Sequence, residues 1–191
     1  MTGRKVFVIL VAAAAAGICA WLLHAPSLVL DLADRPVDPL EVVGAKAIVL
    51  IFVRTDCPTS NRYAPEVARL FEKYSPREVA FWLVYVDRDE TPDMIRRHLS
   101  EYGYQLDAVR DMQHALVDMI GAKVTPEAAV FVPGEKMVYR GRIDNRYTDF
   151  GKGRAAPTRR DLEETLDAVL ANQAVPRAKT RAVGCYIADL R

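Results

Sequence analysis

The stretch Ala47–Ser60 reads AIVLIFVRTDCPTS and changes character at Arg54. Its first seven residues are apolar and rich in β-branched side chains, which is typical of a strand covered on both faces. Cys57 then comes directly before Pro58, and proline suits the first turn of a helix because no hydrogen bond is needed from it there. The stretch therefore predicts a buried strand followed by a helix that has Cys57 at its start.

Apolar periodicity predicts further elements on both sides of this unit. Helices are expected at about 59–74, 91–102, 111–120 and 159–172, and strands at 79–86, 128–132 and 137–143. Buried strands joined by helices pair in parallel, whereas the last two strands flank Pro133-Gly134 and form an antiparallel hairpin. The sequence thus predicts an α/β fold, in which helices flank a mixed central sheet.

Composition divides the chain into an N-terminal membrane anchor or signal segment (1–25), an extended tether (26–44), the domain (45–172) and a tail (173–191) that carries Cys185. The uncharged stretch from Val6 to Leu23 would form a helix of about 27 Å, enough to cross a bilayer. Arg4 and Lys5 precede it, so we expect the domain to be exported. Leu23 and Pro26 suit a cleavage site poorly, which favours an uncleaved anchor.

The charge balance and the cysteine count exclude several kinds of protein. There are 26 basic and 25 acidic residues, which gives a net charge of +1. The chain therefore lacks the excess of basic residues that binding to a nucleic-acid backbone requires. The only cysteines are Cys19, Cys57 and Cys185, too few for a disulfide-rich framework. Cys19 falls within the anchor and is predicted to have no role.

Cys57 is the predicted reactive group. The unpaired N–H groups and positive dipole end of a helix favour a thiolate, which is the nucleophilic form of cysteine. Ser60 follows three residues later and could donate a hydrogen bond to the sulfur. Thr125-Pro126 precedes a strand, where a cis proline would present backbone to a bound thiol. Arg142 is a candidate contact for an anionic substrate.

Several of these motifs together resemble the thioredoxin superfamily. They are a strand followed by Cys57-Pro-Thr-Ser60, a proline at 65, and Val-Thr-Pro126 before a hairpin strand. TDCPTSNRYAPEV and GAKVTPEAAVFVPGEKMVYRGRIDNRY look more specifically like exported bacterial redoxin-domain proteins. The resemblance implies a thioredoxin-like fold, a cis peptide bond at Pro126 and thiol–disulfide exchange with protein or small-molecule thiols, without a cofactor. Together with the anchor, it places the domain in the periplasm, at the inner membrane or free after cleavage.

The sequence departs from two patterns of that superfamily. The usual Cys-x-x-Cys pair is Cys-x-x-Ser here, because Ser60 stands at the second position. The proline and the threonine or serine that precede a peroxidatic cysteine are replaced by Leu50 and Arg54. Peroxidase activity is therefore not supported, and Cys57 needs a distant or external partner.

Cys185 is the natural candidate for that partner, and Gly184 beside it would allow a close backbone approach. Two roles remain open. Cys185 could resolve an intermediate formed when Cys57 attacks a substrate, or the two cysteines could form a purely structural disulfide in a non-catalytic module.

A copper-handling role is the other alternative. The segment Asp87–Pro92 is similar to part of Sco-type copper-delivery proteins, although alternating charges after a strand are also typical of a solvated turn. Cys57, His114 and Cys185 could then supply a soft site for Cu(I).

Overall fold

The computed structural model describes residues 29–134 and 136–188. The predicted anchor, with Cys19, lies outside these residues. In the part of the chain that is described, no helix combines the length and the apolar character needed to cross a membrane.

Four helices and eleven short or medium strands make up the described chain. The helices are α1 (Pro58–Tyr74), α2 (Pro92–Glu101), α3 (Ala115–Ile120) and α4 (Asp161–Leu170), with a 3₁₀ turn at Ser75–Arg77. The strands are β1 (Val29–Asp31), β2 (Pro36–Val37), β3 (Ala47–Val53), β4 (Val79–Tyr85), β5 (Asp107–Arg110), β6 (Val124–Thr125), β7 (Glu127–Phe131), β8 (Met137–Gly141), β9 (Tyr147–Asp149), β10 (Lys152–Gly153) and β11 (Cys185–Tyr186).

Seven strands form one mixed sheet in the order β2-β1-β5-β4-β3-β7-β8. Strand β3 pairs in parallel with β4 and antiparallel with β7, so the predicted mixed sheet and closing hairpin are confirmed. All of β3 is buried, because alternate side chains enter two separate cores. Val49 and Ile51 pack in the core that includes α1 and α4, whereas Leu50 packs in the core that includes α3.

Two sequence predictions about the ends of this sheet were wrong. The predicted tether (26–44) is part of the sheet from Val29 onward, because β1 and β2 lie in the sheet and Val29 is fully buried. The helix predicted from Asp111 begins only at Ala115, and the unpredicted strand β5 precedes it, in parallel with β4. Strands of two to four residues are too short to show a period in sequence.

The tail returns across the domain instead of leading away from it. It first pairs with the outer strand of the sheet: the Arg140 N–H donates to Ala178 O and the Thr180 N–H donates to Arg140 O, each at 3.0 Å. Further on, β11 pairs antiparallel with β6, so that Cys185 lies opposite Thr125. This second pairing brings Cys185 to the start of α1.

Candidate active site

Cys57 caps the N-terminus of α1, as the sequence predicts. Its backbone is extended, and its sulfur accepts a hydrogen bond from the Ser60 N–H at 3.4 Å. Pro58 occupies the first helical position. Because β3 ends only a few residues earlier, the strand and the helix together hold the thiol at one end of the sheet. Only 1% of Cys57 is exposed.

Cys185 covers this thiol although it lies 128 residues away in the sequence. The two Sγ atoms are 2.8 Å apart, and both cysteines are free. The Cys57 thiol also donates a hydrogen bond to Thr125 O at 3.1 Å. The site is therefore a pair of thiols in contact, one at a helix start and one on the returning tail.

Gly184 allows the tail to come this close. The peptide bond between Thr125 and Pro126 is cis, and the Gly184 backbone lies directly against it. A β-carbon at Gly184 would stand 1.9 Å from Thr125 O and 3.2 Å from Pro126 N. Real side chains do not tolerate such contacts, so only glycine fits there.

The two thiols differ in acidity. Burial raises the pKa of Cys57, but hydrogen bonding with Cys185, Ser60 and Thr125 outweighs burial and brings the pKa below its ordinary value. Burial and the neighbouring Cys57 raise the pKa of Cys185 to about 11. Cys57 therefore ionises first.

Two buried hydroxyls are available to that thiolate. Neither Ser60 Oγ nor Thr125 Oγ1 has a hydrogen-bond partner within the described chain. Buried hydroxyls without partners are costly, and a negatively charged sulfur would give both an acceptor.

The comparisons with known proteins concern the fold that carries this site. Residues 44–137 match the sequence profile of a thioredoxin-like family. The chain carries a redoxin-like domain of the thioredoxin superfamily. No curated protein matches its sequence.

Solved structures share the fold of this redoxin-like domain. An uncharacterized conserved protein from Geobacillus kaustophilus is 25% identical over 84% of this chain and 86% of its own, with a TM-score of 0.72. A hypothetical protein from Sinorhizobium meliloti 1021 is 22% identical over 83% of this chain and 88% of its own, with a TM-score of 0.73. A secreted Mycobacterium tuberculosis disulfide oxidoreductase homologous to E. coli DsbE is 16% identical over 75% of this chain and 92% of its own, with a TM-score of 0.50.

Most of the residues predicted from sequence come together in this redoxin-like domain: Cys57, Ser60, Thr125, Pro126 and Cys185. Arg142 does not join them. Its guanidinium donates to the carboxylate of Asp161, which is 2% exposed, at 2.7 Å. That ion pair links the exit of β8 to the start of α4, and a contact between Arg142 and substrate stays a prediction.

The three-residue copper site is not formed. His114 is buried, and its Nε2 bonds to Val86 O at 2.9 Å. Among residues 29–134 and 136–188, no three His, Cys, Asp or Glu side chains are grouped to hold a metal ion. His114 therefore does not complete a ligand set with the two cysteines.

A polar network behind Cys57 was missed in the sequence. Glu90 Oε1 accepts a hydrogen bond from the Thr55 N–H at 2.5 Å, and the Asn61 side chain donates to Thr55 O at 2.9 Å. Asn61 Oδ1 meets His98 Nε2 at 2.9 Å, and His98 Nδ1 meets Tyr85 OH at 2.8 Å. Since Asn61 uses its N–H toward Thr55, its oxygen accepts and His98 Nε2–H donates. Burial lowers the pKa of His98, which favours the neutral ring.

The interpretation of Asp87–Glu90 as a solvated turn is wrong for Glu90. Its side chain is almost fully buried, and burial raises the pKa of its carboxyl group. The available signal was topological: β3 and β4 are parallel neighbours, so the residues after each strand meet at the same edge of the sheet.

Proposed function

We propose that this protein is a thiol–disulfide oxidoreductase of the bacterial envelope in which Cys57 and Cys185 form the redox pair. The observation that carries the proposal is the contact of 2.8 Å between the two Sγ atoms, at the start of a helix and beside a cis proline. It needs no bound cofactor, and its reaction partners are thiols or disulfides of proteins or small molecules.

The chemistry follows from the unequal thiols. In the reduced state Cys57 is the more acidic group, so a thiolate forms next to a protonated Cys185. In the oxidised state the same two sulfur atoms are joined, and electrons enter by attack of an external thiolate on the disulfide. The Cys-x-x-Ser sequence is thus compatible with a dithiol mechanism, because the second thiol comes from the tail.

Two further observations support the assignment. A structural neighbour is a secreted disulfide oxidoreductase, and Val6–Leu23 has the length and composition of a membrane anchor. Both favour a domain that faces the periplasm from the inner membrane, or that is released there if the segment is cleaved.

A redox titration of the purified full chain tests the proposal. Samples are equilibrated in dithiothreitol or glutathione buffers, and free thiols are labelled with a mass tag. One two-electron transition is expected that involves Cys57 and Cys185, and Cys57→Ser or Cys185→Ser should each abolish it. Cys19→Ser is the matched control and should leave it unchanged. Free thiols at both Cys57 and Cys185 after full oxidation would contradict the proposal.

A structural disulfide is the second candidate, and the 1% exposure of Cys57 favours it. The reduction potential separates the two roles. Structural disulfides have potentials below about −300 mV, whereas catalytic ones are more easily reduced. A cysteine pair that has a potential in the structural range and also fails to catalyse insulin reduction would belong to a non-catalytic module.

A further inference from the structure

The two cysteines differ in how solvent can reach them. Cys57 is enclosed by Cys185, the Thr125 carbonyl and the first turn of α1. Cys185 is partly exposed on the tail. An external sulfur therefore has a path to Cys185 while the tail is in place, but none to Cys57.

A pocket of about 840 Å³ has Cys185 in its lining. The tail from Lys179 to Tyr186 forms one wall, and residues of β6, β7, β8 and β9 with Phe150 form the other; Cys57 is not part of the lining. Phe150 and Tyr186 are 66% and 79% exposed. Pockets of this size hold small-molecule ligands.

The charges around this pocket are mostly positive. Arg140 is neutralised by Glu127, with 3.3 Å between Nε and Oε1. The remaining charged lining residues are Lys123, Lys179 and Arg181 against the single acid Asp149, and all four are exposed. An anionic ligand is therefore favoured over a cationic one.

Leaving-group chemistry, like solvent access, favours attack of an external thiol on Cys185. In thiol–disulfide exchange, the sulfur of lower pKa leaves faster. The pKa of Cys57 is below its ordinary value, and that of Cys185 is raised to about 11. Attack on Cys185 expels the better leaving group, whereas attack on Cys57 would expel the poorer one.

We propose that an anionic low-molecular-mass thiol reduces the Cys57–Cys185 disulfide by attacking Sγ of Cys185 from this pocket. A bond forms between the external sulfur and Cys185, the Cys57–Cys185 bond breaks, and Cys57 leaves with the electron pair as a thiolate. A second molecule of the same thiol then attacks the external sulfur. This releases its disulfide, and Cys185 takes up a proton.

This inference rests on the proposed function and reverses the roles predicted from the sequence, where Cys57 attacks and Cys185 resolves. The oxidising direction reverses these steps: Cys185 attacks an external disulfide as it loses its proton, the external S–S bond breaks, and one thiol leaves with that proton. The Cys57 thiolate then attacks Sγ of Cys185, which closes the internal bond and releases the second external thiolate.

Trypsin makes the order of attack measurable, because Cys57 and Cys185 fall in the separate peptides 55–62 and 182–191. The oxidised full chain is mixed with thioglycolate, quenched rapidly in acid, alkylated and digested. We expect thioglycolate on 182–191 and the alkyl group on 55–62. Thioglycolate on 55–62 would overturn the inference but not the proposed function. A disulfide that neither thioglycolate nor dithiothreitol reduces would overturn both.

A stable adduct on Cys185 gives a second measurement. The variant Cys57→Ser has no thiol at position 57 that could displace an adduct from Cys185. Treatment of this variant with dithiodiglycolate should therefore leave one thioglycolate on peptide 182–191, and an unmodified Cys185 would overturn the inference.

The charge preference is tested with thioglycolate and the cationic thiol cysteamine, each rate corrected for thiolate fraction. Lys179→Glu with Arg181→Glu should lower the ratio of the two reduction rates about tenfold. Lys46→Glu, on a distant surface pair with Glu78, is the control. An unchanged ratio in the double variant would overturn the anionic preference.

Discussion

Gly184 and Thr125 are packed backbone against backbone, so closely that a β-carbon on the glycine would lie 1.9 Å from the threonine carbonyl oxygen. This contact holds Cys185 opposite Thr125 in the β6–β11 ladder. The placement of the second thiol therefore depends on the absence of one methyl group.

Gly184→Ala should push the tail off β6 and uncover Cys57. Overpacking of this kind costs about 1–3 kcal/mol, so alkylation of Cys57 in the reduced chain should accelerate about tenfold or more. Iodoacetamide labelling, followed by mass spectrometry of peptide 55–62, measures the rate. Gly153→Ala is the control, because its nearest contact is a tyrosine ring carbon at 3.3 Å. Equal Cys57 alkylation rates in Gly184→Ala and the unchanged protein would show that the tail does not shield Cys57.

Ser60→Ala should raise the pKa of Cys57. The Ser60 hydroxyl is one of the groups that lower this pKa, and alanine removes it while keeping the backbone N–H contact. Thiolate absorbance in the reduced chain would follow the titration, in which Cys185 appears separately near pH 11. Ser75→Ala, at the other end of α1, should change nothing. An unchanged midpoint in Ser60→Ala would exclude the hydroxyl from thiolate stabilisation.

Oxidation should stabilise the domain strongly. A disulfide between Cys57 and Cys185 would close a loop of more than a hundred residues, worth about 4–5 kcal/mol in the chain-entropy model. Urea denaturation of the oxidised chain, the reduced chain and Cys185→Ser measures the difference. The reduced chain and the variant should agree with each other, and if all three unfold at the same urea concentration, the bond is absent or strained.

The sequence predicted the fold where elements are long and missed it where they are short. β3 can be predicted from its seven consecutive apolar residues, and α1 from Pro58 and its apolar face. β1, β2 and β5 have two to four residues, so their place is decided by pairing with neighbours that no local pattern reveals.

The residues of the candidate site likewise divide into those that a local sequence pattern reveals and those that only the fold brings together. Cys57 could be identified from its position between a strand and a helix, and Cys185 from its glycine neighbour. Glu90 was predicted to be solvated because three charged residues, Asp87, Arg88 and Asp89, precede it in the sequence. Its burial depends on the fold, which turns its carboxylate toward the Thr55 N–H.

Glu90→Gln and Glu90→Ala should separate the two effects of this carboxyl group. Because burial raises the folded-state pKa, the folded chain loses stability through Glu90 as pH rises from the unfolded pKa through the folded one. Glutamine keeps an acceptor for Thr55 without the charge, so it should match the unchanged protein in acid and exceed its stability at neutral pH.

Alanine at position 90 leaves the Thr55 N–H without an acceptor and should make the chain about 1–3 kcal/mol less stable than Glu90→Gln at every pH. Chemical denaturation at several pH values tests both variants. A glutamine variant that is less stable than the unchanged protein at pH 7 would show that the ionised form is required.

Glu163→Gln should weaken the link between α1 and α4 in a pH-dependent way. Arg69 and Lys73 on α1 hold the pKa of Glu163 at about 2. Its stabilising effect is present above the unfolded pKa of about 4.5 and is lost as pH falls toward 2. We expect a loss of about 1–2 kcal/mol at pH 7, after allowing for solvent screening.

The same denaturation series, with added salt as a second axis, measures this effect. The difference between Glu163→Gln and the unchanged protein should shrink at low pH and at high ionic strength. A constant difference would point to lost packing instead of lost charge.

The separation of 128 residues between the two thiols also sets an order of events during biosynthesis. At about 5–20 residues per second, roughly 6–26 s pass between synthesis of Cys57 and of Cys185. Through that interval Cys57 lacks both its partner thiol and the hydrogen bond with Cys185 that helps to lower its pKa. Under the proposed function, the redox pair is therefore complete only after the tail has been made and has paired with β6.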